Sequence, residues 1–156
     1  MAGNLRLVRE PSSRANSKIE VVLVDDHETM RRTLKGLLDS EPGIEVIAEA
    51  GNLALATRHV RHYAPHVLVL DLRLPDGSSL AAISELRREA PSTQIVVLTM
   101  QESPATAKQA LDTGALGFVV KDTADAELAD AVRHAADGAA YVSPRVAARV
   151  DALRRN

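Results

Sequence analysis

From residue 19 onward, short runs of Val, Ile and Leu alternate five times with amphipathic stretches of helical length, and few folds accept that pattern. The runs span residues 19–24, 44–50, 66–70, 94–99 and 116–120. The helical stretches span residues 28–39, 52–63, 78–90, 103–113 and 124–136; in the first of them Met30, Leu34, Leu37 and Leu38 form the apolar stripe. Strands this uniformly apolar must be covered on both faces, and right-handed crossovers put helices there. The order (βα)5 therefore predicts a doubly wound α/β fold around a five-stranded parallel sheet.

Composition narrows what such a fold can do. With 156 residues, nearly half of them apolar, the chain has material for one well-buried domain and not for two. Residues 1–18 mix Arg, Ser, Asn and Pro without apolar periodicity and are expected to be a flexible extension, followed by a domain over residues 19–138. With no cysteine, disulfides and thiolate metal sites are excluded. No run reaches the roughly 18 to 20 apolar residues of a membrane span, and the start of the chain lacks the apolar core of a signal peptide, so a cytoplasmic protein is expected. A net charge of -2 argues against a nucleic-acid surface on this domain.

In doubly wound sheets ligands sit beyond the carboxyl ends of the strands, where the strand order reverses. Asp25 and Asp26 follow the first strand and Asp71 the third, Thr99 ends the fourth, and Lys121 follows the fifth. In the flavodoxin-like order 2-1-3-4-5, the first and third strands are neighbours, so three carboxylates share one pocket. Like charges that close repel, and a hard cation relieves them. Magnesium suits such a site, since it takes oxygen ligands and commonly needs one or two carboxylates plus a phosphate. A carboxylate can attack phosphorus, with Lys121 as a second positive charge and the Thr99 hydroxyl as a hydrogen-bond partner for a phosphoryl oxygen. Singly, each residue has an ordinary reading: Asp25 or Asp26 as a helix cap, Asp71 as a turn residue before Pro75-Asp76-Gly77, Thr99 as a strand residue, Lys121 as a solvated charge. Four loops at one end of the sheet carrying the complete set speak for phosphoryl transfer to a carboxylate.

The segments Leu23-Val24-Asp25-Asp26-His27, Leu70-Asp71-Leu72-Arg73-Leu74-Pro75, Leu98-Thr99 and Gly117-Phe118-Val119-Val120-Lys121-Asp122 resemble a bacterial two-component response-regulator receiver, over residues 19–138. The resemblance implies that Asp71 is the phosphoacceptor and that Asp25 and Asp26 bind Mg2+, together with Asp71 and the Arg73 backbone carbonyl. It also implies that Lys121 and Thr99 contact the phosphoryl group and that Thr99 and Phe118 are the conformational pair. A histidine kinase is then the phosphodonor, and the face formed by the fourth helix, fifth strand and fifth helix is the switched surface, with a homodimer expected in the active state. The Val-Asp-Asp-His start and the Lys-Asp ending resemble the NarL/LuxR branch, whose members carry a C-terminal helix-turn-helix. Residues 139–156, with Ser143 and Pro144 as a helix start and Val146, Val150 and Leu153 as an apolar stripe, are expected to be the linker helix toward such a DNA-binding domain, which is absent from this chain. That stripe is also a candidate for self-association.

Three positions depart from the family pattern. Ser79 stands where the family usually has Gly, and Gly77 is placed to absorb the turn instead. Met100 follows Thr99 where a small residue is usual, and is expected to narrow access to Asp71. Asp122 follows Lys121 where many receivers have proline, so a cis bond there would cost roughly 2.5 to 4 kcal/mol without proline's help; the sequence leaves that geometry open. Arg73 occupies the place where aspartate-nucleophile phosphatases need a second carboxylate, so no turnover of external substrates is expected. The alternatives are a phosphorylation-independent interaction module and a stand-alone receiver. His27 reads as a helix-start residue, His59 and His62 as surface, and Arg145, Arg149, Arg154 and Arg155 as a solvated helix face.

Overall fold

The computed structural model describes residues 17–155, so the expected extension over residues 1–18 lies almost wholly outside the described residues. Strand β1 (Ile19–Val24) leads to helix α1 (Glu28–Asp39), β2 (Ile44–Ala50), α2 (Leu53–Tyr63), β3 (Val67–Asp71), α3 (Ser79–Glu89), β4 (Gln94–Thr99), α4 (Pro104–Thr113), β5 (Gly117–Val120) and α5 (Ala124–Ala136). The chain then adds a short strand, β6 (Tyr141–Val142), and a last helix, α6 (Pro144–Arg155). The strands form one sheet in the order β2-β1-β3-β4-β5-β6, all in parallel register.

Period-two alternation sorts the apolar strand residues between the faces. Val22, Leu68, Val97 and Phe118 join Val60 of α2, Ile83 of α3, Ala107 of α4 and Val146 of α6. Val21, Val69, Leu98 and Val119 join Leu34 of α1 and Leu128 of α5. Four helices therefore cover one face and two the other.

The order expected for the first five strands holds, and the strand count does not: the sheet has six. Gly117 pairs with Tyr141 and Phe118 with Val142. A two-residue strand is shorter than any apolar run from which periodicity can be read. A helix stands where one was expected, as α6, but Val146 and Val150 of its stripe are buried within this chain, while Leu153 is exposed. That stripe is therefore not a free dimer surface here.

Between β3 and α3 a tight antiparallel ribbon pairs Arg73 with Ser78 and Leu74 with Gly77. Gly77 takes φ +152° and absorbs the turn, as its position suggested. Among the described residues there is no cis peptide bond; Lys121–Thr123 forms one 3-10 turn. No described helix is long and apolar enough to cross a membrane.

Candidate functional site

At the carboxyl end of β1 the chain stays paired for one residue more: Asp25 N donates to Ala50 O at 3.0 Å, which buries Asp25 completely. Its Oδ1 accepts the His27 N–H at 2.9 Å, and Arg31 of α1 donates to its carbonyl at 2.6 Å while pairing with Glu49 at 3.2 Å. Asp26, next in the chain, turns outward and is exposed. Asp71, the last residue of β3, is 5% exposed, and its Oδ1 accepts the Arg73 N–H at 3.1 Å.

Lys121 joins the two strands. Its Nζ lies 2.9 Å from Asp71 Oδ2 and 2.8 Å from Asp25 Oδ2, and its side chain is only 5% exposed, which excludes the solvated-charge reading. Asp25 Oδ2 is buried, and the ammonium meets it as a close ion pair rather than as an aligned hydrogen bond.

Charge balance tells the same story. Burial pushes the Asp71 carboxyl above the usual Asp range, with the Asp25 charge adding to it, against the Lys121 ammonium and the Arg73 N–H. Burial works to lower the Lys121 pKa, and the Asp25 and Asp71 carboxylates together outweigh it, so the ammonium is held charged above its ordinary value. One lysine serves two buried carboxylates.

Thr99, at the end of β4, is 4% exposed, and its Oγ1 accepts the Gln101 N–H at 3.1 Å, leaving its own hydrogen free to donate. Asp26, Asp71, Arg73, Thr99 and Lys121 line a cavity of about 240 Å³. Met100 lines it too, but is 61% exposed, so it borders the mouth rather than filling the site. Phe118 lies apart, fully buried in the core with Val97 as its register partner.

Three residues play parts that the sequence reading did not give them. His27 holds the position before α1 as expected, but its Nδ1 lies 3.2 Å from Asp26 Oδ1 and 3.5 Å from Asp25 Oδ1. Ligand atoms of Asp25, Asp26, His27 and Asp71 all fall within 4.8 Å of one another. Ser79, noted only as a departure, is fully buried, and its hydroxyl donates to the Asp71 carbonyl. Ser143, read only as a helix start, is buried beside Val120. Of the other histidines, His59 bonds the Glu49 carbonyl at 2.9 Å and is partly buried, while His62 is exposed.

The donor set fits a hard divalent cation: oxygens from three carboxylates, one of them a buried oxygen with no hydrogen-bond partner.

Comparison with known proteins gives a consistent result. The family described as response regulator receiver domain matches residues 21–133. The chain is 39% identical over 137 residues to the DNA-binding transcriptional activator DevR/DosR of Mycobacterium tuberculosis, covering 88% of this chain and 63% of that protein. It is 37% identical to the nitrate/nitrite response regulator protein NarP of Escherichia coli, covering 81% and 59%. The chain thus spans less than two thirds of the length of these relatives. Among solved structures, a LuxR-family two-component response regulator from Aurantimonas sp. SI85-9A1 superposes with a TM-score of 0.84 at 32% identity, covering 90% of this chain and all of that one.

Proposed function

The chain belongs to the response regulator receiver domain family, and from that premise we propose that Asp71 accepts a phosphoryl group from a histidine kinase and that this switches the domain. The observation that carries the reading is the Lys121 ammonium shared by Asp71 and Asp25 beside a buried Asp25 oxygen that lacks a hydrogen-bond partner. An apparatus that costs stability when idle fits a site built for an incoming cation and an incoming phosphoryl group.

In the transfer, a carboxylate oxygen of Asp71 forms a bond to phosphorus as the bond from the donor's imidazole nitrogen breaks, and that nitrogen keeps the electron pair and takes up a proton. Asp25, Asp26 and Asp71 would hold Mg2+, with the Arg73 carbonyl as a further ligand. Bound there, the ion offsets charge on the transferring oxygens. Lys121, which already touches Asp71, supplies a second positive charge. Thr99 can donate to a phosphoryl oxygen while still accepting the Gln101 N–H. Ser79 and the Arg73 N–H hold the Asp71 backbone and side chain in place for the attack.

Turnover of external substrates is not part of this reading, because Arg73 stands where a phosphatase would need a second carboxylate. Output through the face of α4, β5 and α5, homodimer formation in the active state, cytoplasmic location and DNA binding through a separate domain are carried over from the family. The DNA-binding transcriptional activator among the relatives supports the last of these.

The test is intact mass after incubation with phosphoramidate, with and without Mg2+, for the parent chain and Asp71→Asn. A magnesium-dependent gain of one phosphoryl group that disappears in the variant is expected. No adduct, with metal binding shown and rapid hydrolysis excluded, would leave a phosphorylation-independent interaction module in its place.

A further inference from the structure

We propose that Ser143 is a positioning residue for Lys121 and that helix α6, which follows Ser143 directly, is the element released when Asp71 is phosphorylated. The inference rests on Asp71 being the phosphoacceptor.

β6 pairs with β5 only as far as Phe118, so Val120, fully buried and one residue before Lys121, must find its backbone partner elsewhere. That partner is Ser143. Its Oγ accepts the Val120 N–H at 3.0 Å and donates to Glu127 of α5 at 2.6 Å. Its N–H donates to the Phe118 carbonyl at 2.9 Å, and its own carbonyl accepts from Val146 and Ala147 in the first turn of α6. One buried serine thus fixes the backbone entering Lys121 and starts the last helix.

Arg145 adds a second tie. Its guanidinium lies 3.1 Å from Glu102, in the loop after Thr99, and 3.9 Å from Asp122, next to Lys121. The first turn of α6 therefore touches both loops that carry the phosphoryl-contacting side chains. The ties through Arg145 are exposed ion pairs, which hold weakly.

Phosphorylation moves negative charge from the Asp71 carboxylate outward onto phosphoryl oxygens in the cavity. Lys121 Nζ and Thr99 Oγ1 follow it, and the two loops shift relative to a helix that is bonded to both. Packed interfaces move between discrete arrangements rather than deforming smoothly. The α6 interface opens.

The experiment is hydrogen exchange of the full chain, read on peptides covering residues 146–153, before and after phosphorylation with phosphoramidate and Mg2+, with intact mass recorded on the same samples. Exchange in α6 should speed up about fivefold or more in the phosphorylated chain. Arg145→Ala should speed it up already without phosphate and narrow the difference. Ser143→Ala should slow phosphoryl gain at Asp71, and Ser143→Thr, which keeps the hydroxyl, should restore it. Unchanged or slower α6 exchange in a chain shown by mass to be phosphorylated overturns the inference and leaves the phosphoacceptor reading standing. Absence of any adduct overturns that reading and this one with it. If Ser143→Ala does not fold, the exposed Arg145→Ala decides.

Discussion

Ser79 shows how one hydroxyl can replace a glycine. It is buried at the start of α3, and its hydrogen bond to the Asp71 carbonyl compensates a polar side chain that burial would otherwise penalise. Ser79→Ala should lower unfolding free energy by about 1 kcal/mol in urea denaturation, the net value of one such bond. A loss below a few tenths would mean that the carbonyl finds another donor. The carboxylates predict the opposite sign. In EDTA, Asp71→Asn should be more stable than the parent by about 1 to 2 kcal/mol, because it removes one of two buried charges that share a single lysine. Mg2+ should reverse that order, adding about 2.7 kcal/mol to the parent at a hundred times its Kd and little to the variant; paired thermal melts read both. Asp25, Asp26, Asp71, Thr99 and Lys121 were legible because each follows or ends a strand at the same edge, where topology alone brings them together. The roles of Ser79, Ser143 and His27 were not, because they depend on where a side chain points, which no periodicity encodes.

Elements were readable where their length exceeded their ambiguity. β1, β2, β4, α1 and α5 run over the expected residues, whereas Asn52 and Ser103 turned out to cap α2 and α4 rather than belong to them. Each accepts a first-turn N–H, as short polar residues do in preference to continuing a helix. The start of α2 is also held from a distance: Asp76, in the turn between β3 and α3, accepts the Leu53 and Ala54 N–H groups at 2.8 and 3.0 Å. These bonds hold its carboxyl below the ordinary Asp value of 3.8. A folded-state pKa that is depressed gives stability that is fully present above the unfolded value and is lost as pH falls through the folded one. Asp76→Asn should therefore be less stable than the parent at neutral pH, with the gap closing only below about pH 4, and salt should shrink it because the group is exposed. Urea midpoints against pH would show it; a gap constant with pH would mean that the charge contributes nothing. In β5, Gly117 has a steric reason to be glycine. A Cβ there would sit 2.9 Å and 3.0 Å from the two methyl carbons of Val96, which is fully buried. Gly117→Ala should cost about 1 to 3 kcal/mol at unchanged m-value, as overpacking of a rigid core does.

At the scale of the whole molecule, the asymmetry of four helices against two is what the sequence did not disclose. Val146, Val150 and Leu153 read as an amphipathic stripe, and a stripe states that a partner exists without naming it. The partner proved to be the chain's own core beside Ala107 and Ala110 of α4. Two consequences can be weighed against each other. Burying Val146 and Val150 is worth roughly 1.5 to 3 kcal/mol each, and Ser143 satisfies a buried N–H that would otherwise be left unpaired, at about 1 to 3 kcal/mol. Ordering the backbone of β6 and α6 opposes this, and the hydrogen bonds and remaining contacts of these elements offset that cost, so the net contribution is a fraction of the gross gain. A chain ending at residue 138 should accordingly be less stable than the full chain by about 2 to 4 kcal/mol, a large share of the 5 to 15 kcal/mol typical of a domain. Urea denaturation of the two forms measures the difference. Equal stability would mean that residues 139–156 are a linker merely resting on the domain, as the sequence suggested. A difference in the expected range would make α6 part of the receiver at rest. It would also set an upper bound on the free energy that phosphorylation must supply to release the helix, since no switch needs to supply more than the docking it undoes.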